Sequence, residues 1–429
     1  MIESIRKMWK IGELRKKILY TFFMLVLFRL VGVIPAPGVD AVKVMEAMKQ
    51  NASTLPLLEL VNMMTGNNFE QMTLMAMGIT PYINASIIMQ LLTIAIPALE
   101  RLSKEEDGRQ KINRITRYVT IGLAALQAIG LVRGLGFIKA GWLNYVLVGV
   151  SMAGGTALAM WIGERITEKG IGNGISLLIF AGIISNLFNG IVRGFTTASG
   201  NATTSGWLTL IIVVVTAILM TIVVTFVELG ERRIPLQIAK QVKGRRVYGG
   251  QNTHMSLKVV SVGVLPLIFA YSFLAFPGTI AQLIDPKEQG WFTQWWKVNM
   301  SQGAVWYMII SALLIIAFTF FYSSISFDPK QQAEQLQQQG AVIPGQRGKN
   351  IRQYLQNIVS RLNLFAAFFL AILAAVPTLL ITLAGVNPND IPFAASSILI
   401  AVSVSLETIR TIQGEMSVRG INMDMDGFM

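Results

Sequence analysis

The chain contains no cysteine, so disulfides, thiolate nucleophiles and Cys-based metal sites are excluded at the outset. Histidine is nearly as scarce. The single His254 sits in a basic segment with no second ligand at metal spacing, and reads as a plain loop residue. Charge is thin as well: Asp, Glu, Lys and Arg make up 14% of the 429 residues, against about a quarter in ordinary soluble domains. No Walker-type phosphate loop is present, so any energy from ATP has to come from a partner. The run "GIGNG" (Gly170–Gly174) bears a superficial likeness to a dinucleotide loop. It lies between two apolar runs, with no preceding strand and no acidic partner. No nucleophile–base pair stands out, and neither enzyme chemistry, nor a metal, nor a cofactor is indicated.

What the sequence has in quantity is apolar length. Hydrophobic residues make up 53% of the chain and its mean hydropathy is +0.55. Runs near twenty apolar residues recur throughout, each enough to cross a hydrocarbon layer about 30 Å thick. The pattern predicts an all-α polytopic membrane protein with ten spans, at 18–36, 72–96, 116–136, 142–163, 175–193, 207–228, 259–283, 304–323, 362–383 and 393–410. The basic stretch Met1–Lys17 precedes a long run without a small-residue cleavage site, so that run is read as a retained first span. With the N-terminus placed inside, 28 of the 36 Lys and Arg fall in or beside inner segments and 7 in or beside outer ones, with Arg29 inside the first span. The positive-inside bias therefore puts both termini in the cytoplasm. The even count permits two five-span halves of opposite topology, 1–206 and 207–429.

Two inner segments, 229–258 and 324–356, are long and basic. The outer segment Pro37–Gln71 includes the apolar stretch "LPLLELVNMMTGNNFEQM" (Leu55–Met72), which fits a short amphipathic helix tucked among the spans. Ion-coupled transporters bury acidic or basic groups at mid-membrane; the span interiors here hold no acidic residue, and Arg29 is the sole deep charge. Transport of a small solute through polar sites such as Asn84 and Gln90 stays open as an alternative, to be discriminated by whether a small single-span partner copurifies.

The stretch "GITPYINASIIMQLL" (Gly78–Leu92) is unusual for a membrane anchor. Pro81 suits a helix start, so the span can break from whatever precedes Gly78. Residues four apart share a helix face, so Tyr82, Ser86 and Gln90 form a polar stripe, with Ile79, Ile83 and Ile87 about 100° round. Ordinary interhelical packing accounts for such a stripe; so does a gate.

This stretch, together with "GERITEKGIGNGISLLIFAGI" (Gly163–Ile183), "RRIPLQIAKQVKGRRVYGGQNTH" (Arg232–His254), "FPGTIAQLI" (Phe276–Ile284), "FDPKQQAEQLQQQGAVIPGQRGK" (Phe327–Lys349) and "RLNLFAAFFLAILAAVP" (Arg361–Pro377), closely resembles the SecY family of bacterial protein-conducting channels. The resemblance runs over essentially the whole chain, in the family's order. It implies two five-helix halves around an hourglass pore, open sideways to lipid between spans 2–3 and 7–8. Position by position it implies a pore ring of Ile79, Ile83, Ile179, Ile183, Ile268 and Ile400. It further implies a plug at about 57–70, centred on Leu60, Val61, Asn62, Met63, Met64, Thr65, Gly66 and Asn67, and a lateral gate that includes Asn84, Ile87, Gln90 and Thr120. A greasy collar suits a pore for unfolded chains, because it offers few hydrogen bonds to any one side chain and hinders ion leakage by dewetting.

Resemblance likewise makes Arg232, Arg233, Lys240, Lys243, Arg245, Arg246 and Arg347 candidates for contacting ribosomal RNA and the SecA motor ATPase, since clustered cations favour phosphates. Positive-inside retention with anionic lipid accounts for the same charges. The implied partners are SecE and SecG in a heterotrimer, SecA, the ribosome, signal-bearing preproteins and membrane lipids, with YidC and the signal-recognition-particle receptor as further candidates, in the cytoplasmic membrane. An accessory channel for few substrates is a further possibility within the family. The chain departs from the family pattern in "MSLKVVSVG", where Val260 replaces an asparagine of the gate's polar cluster, in "FAASSILI" (Phe393–Ile400) and in "PGQRGKN". Loss of that asparagine is expected to lower the polar barrier to opening.

Overall fold

The computed structural model describes residues 9–39, 65, 68, 71–105, 107–135, 142–201, 204–238, 241–243, 246–248, 252–263, 265–284, 290–300, 304–345, 350–383 and 395–419. Ten long helices occupy the ten predicted spans: α1 (Gly12–Val31), α2 (Thr80–Ala95), α4 (Gly108–Leu135), α5 (Trp142–Lys169), α6 (Gly174–Asn201), α7 (Thr204–Leu229), α8 (Leu265–Ile284), α10 (Val305–Ser326), α12 (Asn350–Leu383) and α13 (Ala395–Ser417). Among the described residues, three short helices lie between them, α3 (Pro97–Lys104), α9 (Trp291–Asn299) and α11 (Pro329–Gln338).

The boundaries differ from the hydropathy reading wherever a helix runs on into charged sequence. α4 starts at Gly108 and α12 at Asn350, well before their apolar runs, because hydropathy sees the membrane and not the helix. The second span is the opposite case. Its helix begins at Thr80, and residues 71–79 form turns. It ends at Ile96, whose extended backbone (φ −107°, ψ 112°) precedes Pro97. A proline disfavours helical geometry in the residue before it, and α3 leaves α2 at 105°.

The outer faces of the helices are apolar. Phe22, Phe23, Ile222, Phe226, Ile309 and Leu313 are all exposed, as expected where the solvent is hydrocarbon. Within the spans, hydroxyls are satisfied locally: Thr116, Thr120, Thr221, Thr225, Thr319 and Thr408 each donate to the carbonyl four residues earlier. This is the usual way a polar group is accommodated at membrane depth.

The inner segments are more structured than their sequence foretold. β1 (Glu231–Ile238) and β4 (Asn252–Lys258) form an antiparallel ribbon with Arg233 opposite Ser256, and β5 (Ala341–Val342) joins β1 at Gln237. A second, smaller hairpin pairs β2 (Gln241–Lys243) with β3 (Arg246–Tyr248). The signal was present in the alternation of "RRIPLQ": Ile234 and Leu236 are buried while their neighbours are exposed, the period-two pattern of a half-buried strand. Ile234 and Leu236 pack on Ala333 and Leu336 of α11 and on Ile351 and Leu355 of α12. The two basic segments, separate in sequence, thus share one small core.

Candidate pore constriction and side opening

The segment before α2 is laid down with unusual closeness. Thr73 bridges Pro35, the Ala36 amide donates to the Met72 carbonyl at 3.0 Å, and the Leu74 amide to the Ile34 carbonyl at 2.9 Å. On its other side the chain lies on α5, where a Cβ at Gly155 would come 1.9 Å from the Leu74 carbonyl oxygen. Only glycine permits that approach. Gly78 then turns the chain into α2 at φ +52°, and a Cβ there would meet the Thr65 methyl at 2.8 Å. Thr65 is buried. The rest of the predicted plug, Leu60–Met64, Gly66 and Asn67, lies outside the described residues, as does most of the amphipathic helix expected over Leu55–Met72.

Ile79 follows Gly78 directly, the first of the six isoleucines predicted for the pore ring. Ile79 and Ile83 come from the start of α2, Ile179 and Ile183 from α6, Ile268 from α8 and Ile400 from α13. All six fall in one buried hydrophobic cluster, and none exposes more than 8% of its surface. The six side chains are thus almost fully enclosed by protein. Met24 and Phe28 of α1, Met75, Leu178 and Val404 complete the packing; nothing in the sequence singled these out from other apolar residues. Arg29, within α1, donates to the carbonyl of Ala181, between Ile179 and Ile183 on α6. Its guanidinium thus reaches the α6 backbone beside these isoleucines.

The predicted gate residues behave differently from one another. Ile87 belongs to the same buried cluster as the ring, and Asn84 is half-buried beside it. Gln90 reaches across: its Oε1 accepts from the Tyr322 hydroxyl of α10 at 2.9 Å, while its Nε2 lies 3.4 Å from Ser86 Oγ. Tyr322 in turn stacks on Phe269 of α8, with centroids 4.5 Å apart and planes at 11°. One aromatic side chain thus ties α2, α8 and α10 together. Tyr322 was missed in the sequence, since a tyrosine near the end of an apolar run has no distinguishing spacing. Thr120 is fully buried, but its hydroxyl is used within α4, so it contributes packing and no bond across the seam. Behind Tyr322, the amide of Asn363 on α12 donates to Ser323 Oγ, a buried polar pair at the α10–α12 contact. Val260 is buried among Met220, Val224 and Leu267, an apolar setting.

Of the basic candidates, Arg232 and Arg233 are exposed on β1. Lys243 and Arg246 face each other in register on the β2–β3 hairpin. Lys240, Arg245 and Arg347 lie outside the described residues. The ribbon is joined to the pore region at its base, where Arg410 of α13 donates to the Glu228 carbonyl at 3.1 Å and lies 4.0 Å from Glu231, while Ser403 donates to the Glu228 carboxylate at 2.7 Å. Among the described residues, no three His, Asp or Glu side chains gather at metal-ligating distance.

A profile of the SecY family matches residues 73–409. The chain belongs to the SecY family. The SecY protein translocase subunit of Streptomyces scabiei is 38% identical over 446 aligned positions, covering all of both chains. Among solved structures, a protein-conducting channel superimposes with a TM-score of 0.68 at 20% identity, covering 94% of this chain and 92% of that one. The Sec61 channel from a canine ribosome–channel complex of the endoplasmic reticulum gives 0.64 at 18% identity, with the same coverage. At those identities the likeness is one of fold, and it is the ten-helix polytopic fold of SecY and Sec61 channels.

Proposed function

We propose that this SecY-family chain is the pore-forming subunit of a Sec translocon, which conducts unfolded, signal-bearing polypeptides across the cytoplasmic membrane and releases hydrophobic helices sideways into it. The observation that supports this reading is the buried isoleucine cluster. Six isoleucines from four helices and the turn before one of them meet in a single closed cluster, and a hydrogen-bonded seam, Gln90–Tyr322, lies beside it. An apolar collar binds no single substrate chemistry, so it suits a cargo of variable sequence and fits a small-solute site poorly.

In this proposal residues 1–206 and 207–429 are the two halves that part at the seam, with α2 and α4 facing α8 and α10. Residues 57–70 act as the plug, and the buried contact of Thr65 at Gly78 is its fixed end. The exposed Arg232 and Arg233, with Lys240, Lys243, Arg245, Arg246 and Arg347, form the cytoplasmic docking surface for the SecA motor and for ribosomal RNA. SecE and SecG complete the complex, and YidC and the signal-recognition-particle receptor act alongside it. The protein itself performs no covalent chemistry, so its driving force comes from SecA with ATP or from the translating ribosome.

The test is reconstitution. The full chain with SecE in vesicles, supplied with SecA, ATP and a signal-bearing precursor, is expected to render the precursor resistant to added protease, with loss of protection when the signal or ATP is omitted. Vesicles that never protect a precursor, yet accumulate a small labelled solute, would overturn the proposal.

A further inference from the structure

The short helix α9 turns an apolar face away from the protein. Trp291 is 79% exposed, Trp295 40% and Val298 73%, with Phe292 beside them at 44%, whereas Thr293 and Met300 are buried. At about 100° per residue, Trp291, Trp295 and Val298 fall within an arc of about 60°. Gln294, also exposed, marks the polar edge of the stripe. Two indoles and a valine left open in this way form a surface that water would not leave uncovered.

The position of α9 indicates what covers it. It lies between α8 and α10, in a segment that the Lys and Arg bias assigns to the outer side of the membrane. Nine residues at about 1.5 Å each make about 14 Å, less than half the thickness of a hydrocarbon core of about 30 Å. It is too short to span. Further along the chain, the start of α10 is exposed at Val305, Trp306, Ile309 and Leu313, the apolar surface expected of a span that faces lipid. An indole has an apolar ring and a single N–H donor. At headgroup level that donor finds water, carbonyl and phosphate oxygen, and the ring finds acyl chain. The apolar flank of a partner's membrane helix would offer the ring a surface and leave the N–H without an acceptor.

We infer that α9 is an interfacial anchor that lies along the outer-leaflet headgroup boundary, with Trp291, Trp295 and Val298 toward the acyl chains and Gln294 at the polar edge of that face. Its consequence reaches the collar. α9 follows α8 in the chain, and α8 carries both Ile268 of the ring and Phe269, on which Tyr322 stacks. The anchor ties the outer end of that helix to the bilayer surface, so the lipid interface bears on the position of one wall of the constriction.

Because the chain has no cysteine, single-cysteine labelling is unambiguous. Val298→Cys and Gln294→Cys, both at exposed positions, are made in the full chain. Each is labelled with a nitroxide and reconstituted, with its copurifying subunits, in vesicles of phosphatidylethanolamine and phosphatidylglycerol. Power saturation then compares collisions with dissolved oxygen and with a water-soluble nickel chelate. The label at Val298 is expected to favour oxygen several-fold over nickel, with a lower oxygen-to-nickel ratio at Gln294 on the edge of the stripe. Nickel access at Val298 that matches or exceeds oxygen access would mean that α9 stands in water and would overturn the inference. A Val298 label shielded from both reagents, and released when the copurifying subunits are removed, would mean that a partner protein covers the stripe and would equally overturn it.

Discussion

The bond between Gln90 and Tyr322 offers a clean perturbation of the seam, because Tyr322→Phe removes one hydroxyl and nothing else. The ring keeps its volume and its 4.5 Å stack on Phe269, so no cavity forms. Gln90 is exposed and close to Ser86, so its carbonyl oxygen is not stranded in a dry site. The loss should then approximate the net worth of one neutral hydrogen bond, about 0.5–1.5 kcal/mol. If that bond holds α2 to α10 only in the closed state, its loss raises the population of the separated state by about 2- to 13-fold. A strong signal sequence, which opens the seam by its own binding, should gain little. A weak one should gain the full factor. The assay is the export rate of a reporter carrying a truncated hydrophobic signal, normalised to the intact signal and to the amount of folded channel. Gln90→Ala should give a similar gain, and the double substitution little more than either alone, because both remove the same bond. Unchanged export in both single variants, or two effects that simply multiply, would refute the reasoning.

Other consequences are local. Gly155→Ala places a Cβ 1.9 Å from the Leu74 carbonyl oxygen, which only backbone displacement can relieve; overpacking of this kind costs about 1–3 kcal/mol or more, so a lower unfolding midpoint in detergent and faster proteolysis near residues 71–79 are expected, and a wild-type midpoint would contradict the packing. Val260→Asn, the substitution that restores the family's usual residue, buries an amide among Met220, Val224 and Leu267; a penalty of about 1–3 kcal/mol should appear as lost thermal stability, and an unchanged midpoint would show that the amide finds a partner. Lys17 and Glu415, 2.5 Å apart, join the first and last spans beside the Arg419–Glu13 pair. Reversing either charge should lower the midpoint slightly, by less than about 1 kcal/mol for so accessible a pair, and the double reversal should recover it.

The legibility of this protein was uneven, for physical reasons. Membrane spans were plain because hydrocarbon demands about twenty apolar residues in a row, and each predicted run holds a long helix. Their ends were not, since the helix of α12 begins at Asn350 in charged sequence where hydropathy carries no signal. The second span was read as starting at residue 72; the turns over 71–79 are held by main-chain bonds to Ile34 and Ala36 and by contact with Gly155, all long-range features that no local pattern encodes. The ring isoleucines could be named only through family resemblance, because nothing in their own spacing separates Ile268 from any other core isoleucine. Tyr322 went unnamed for the same reason, although its hydroxyl bonds across the seam to Gln90 of α2. The β1–β4 ribbon was hidden behind its charge, although the alternation at Ile234 and Leu236 was there to be seen.

The central claim is that a polypeptide passes through the isoleucine collar, and one crosslink addresses it. A single cysteine is placed at Ile83 in the otherwise cysteine-free chain, SecE and SecA are supplied, and a signal-bearing precursor with one cysteine of its own is stalled partway. Disulfide formation that requires both ATP and an intact signal is the expected result, because only a chain threaded through the collar can reach Ile83, which is 7% exposed in this structure. A precursor that stays bound at the basic ribbon and never forms that bond would contradict the account, and would make this surface a docking platform beside a path that lies elsewhere.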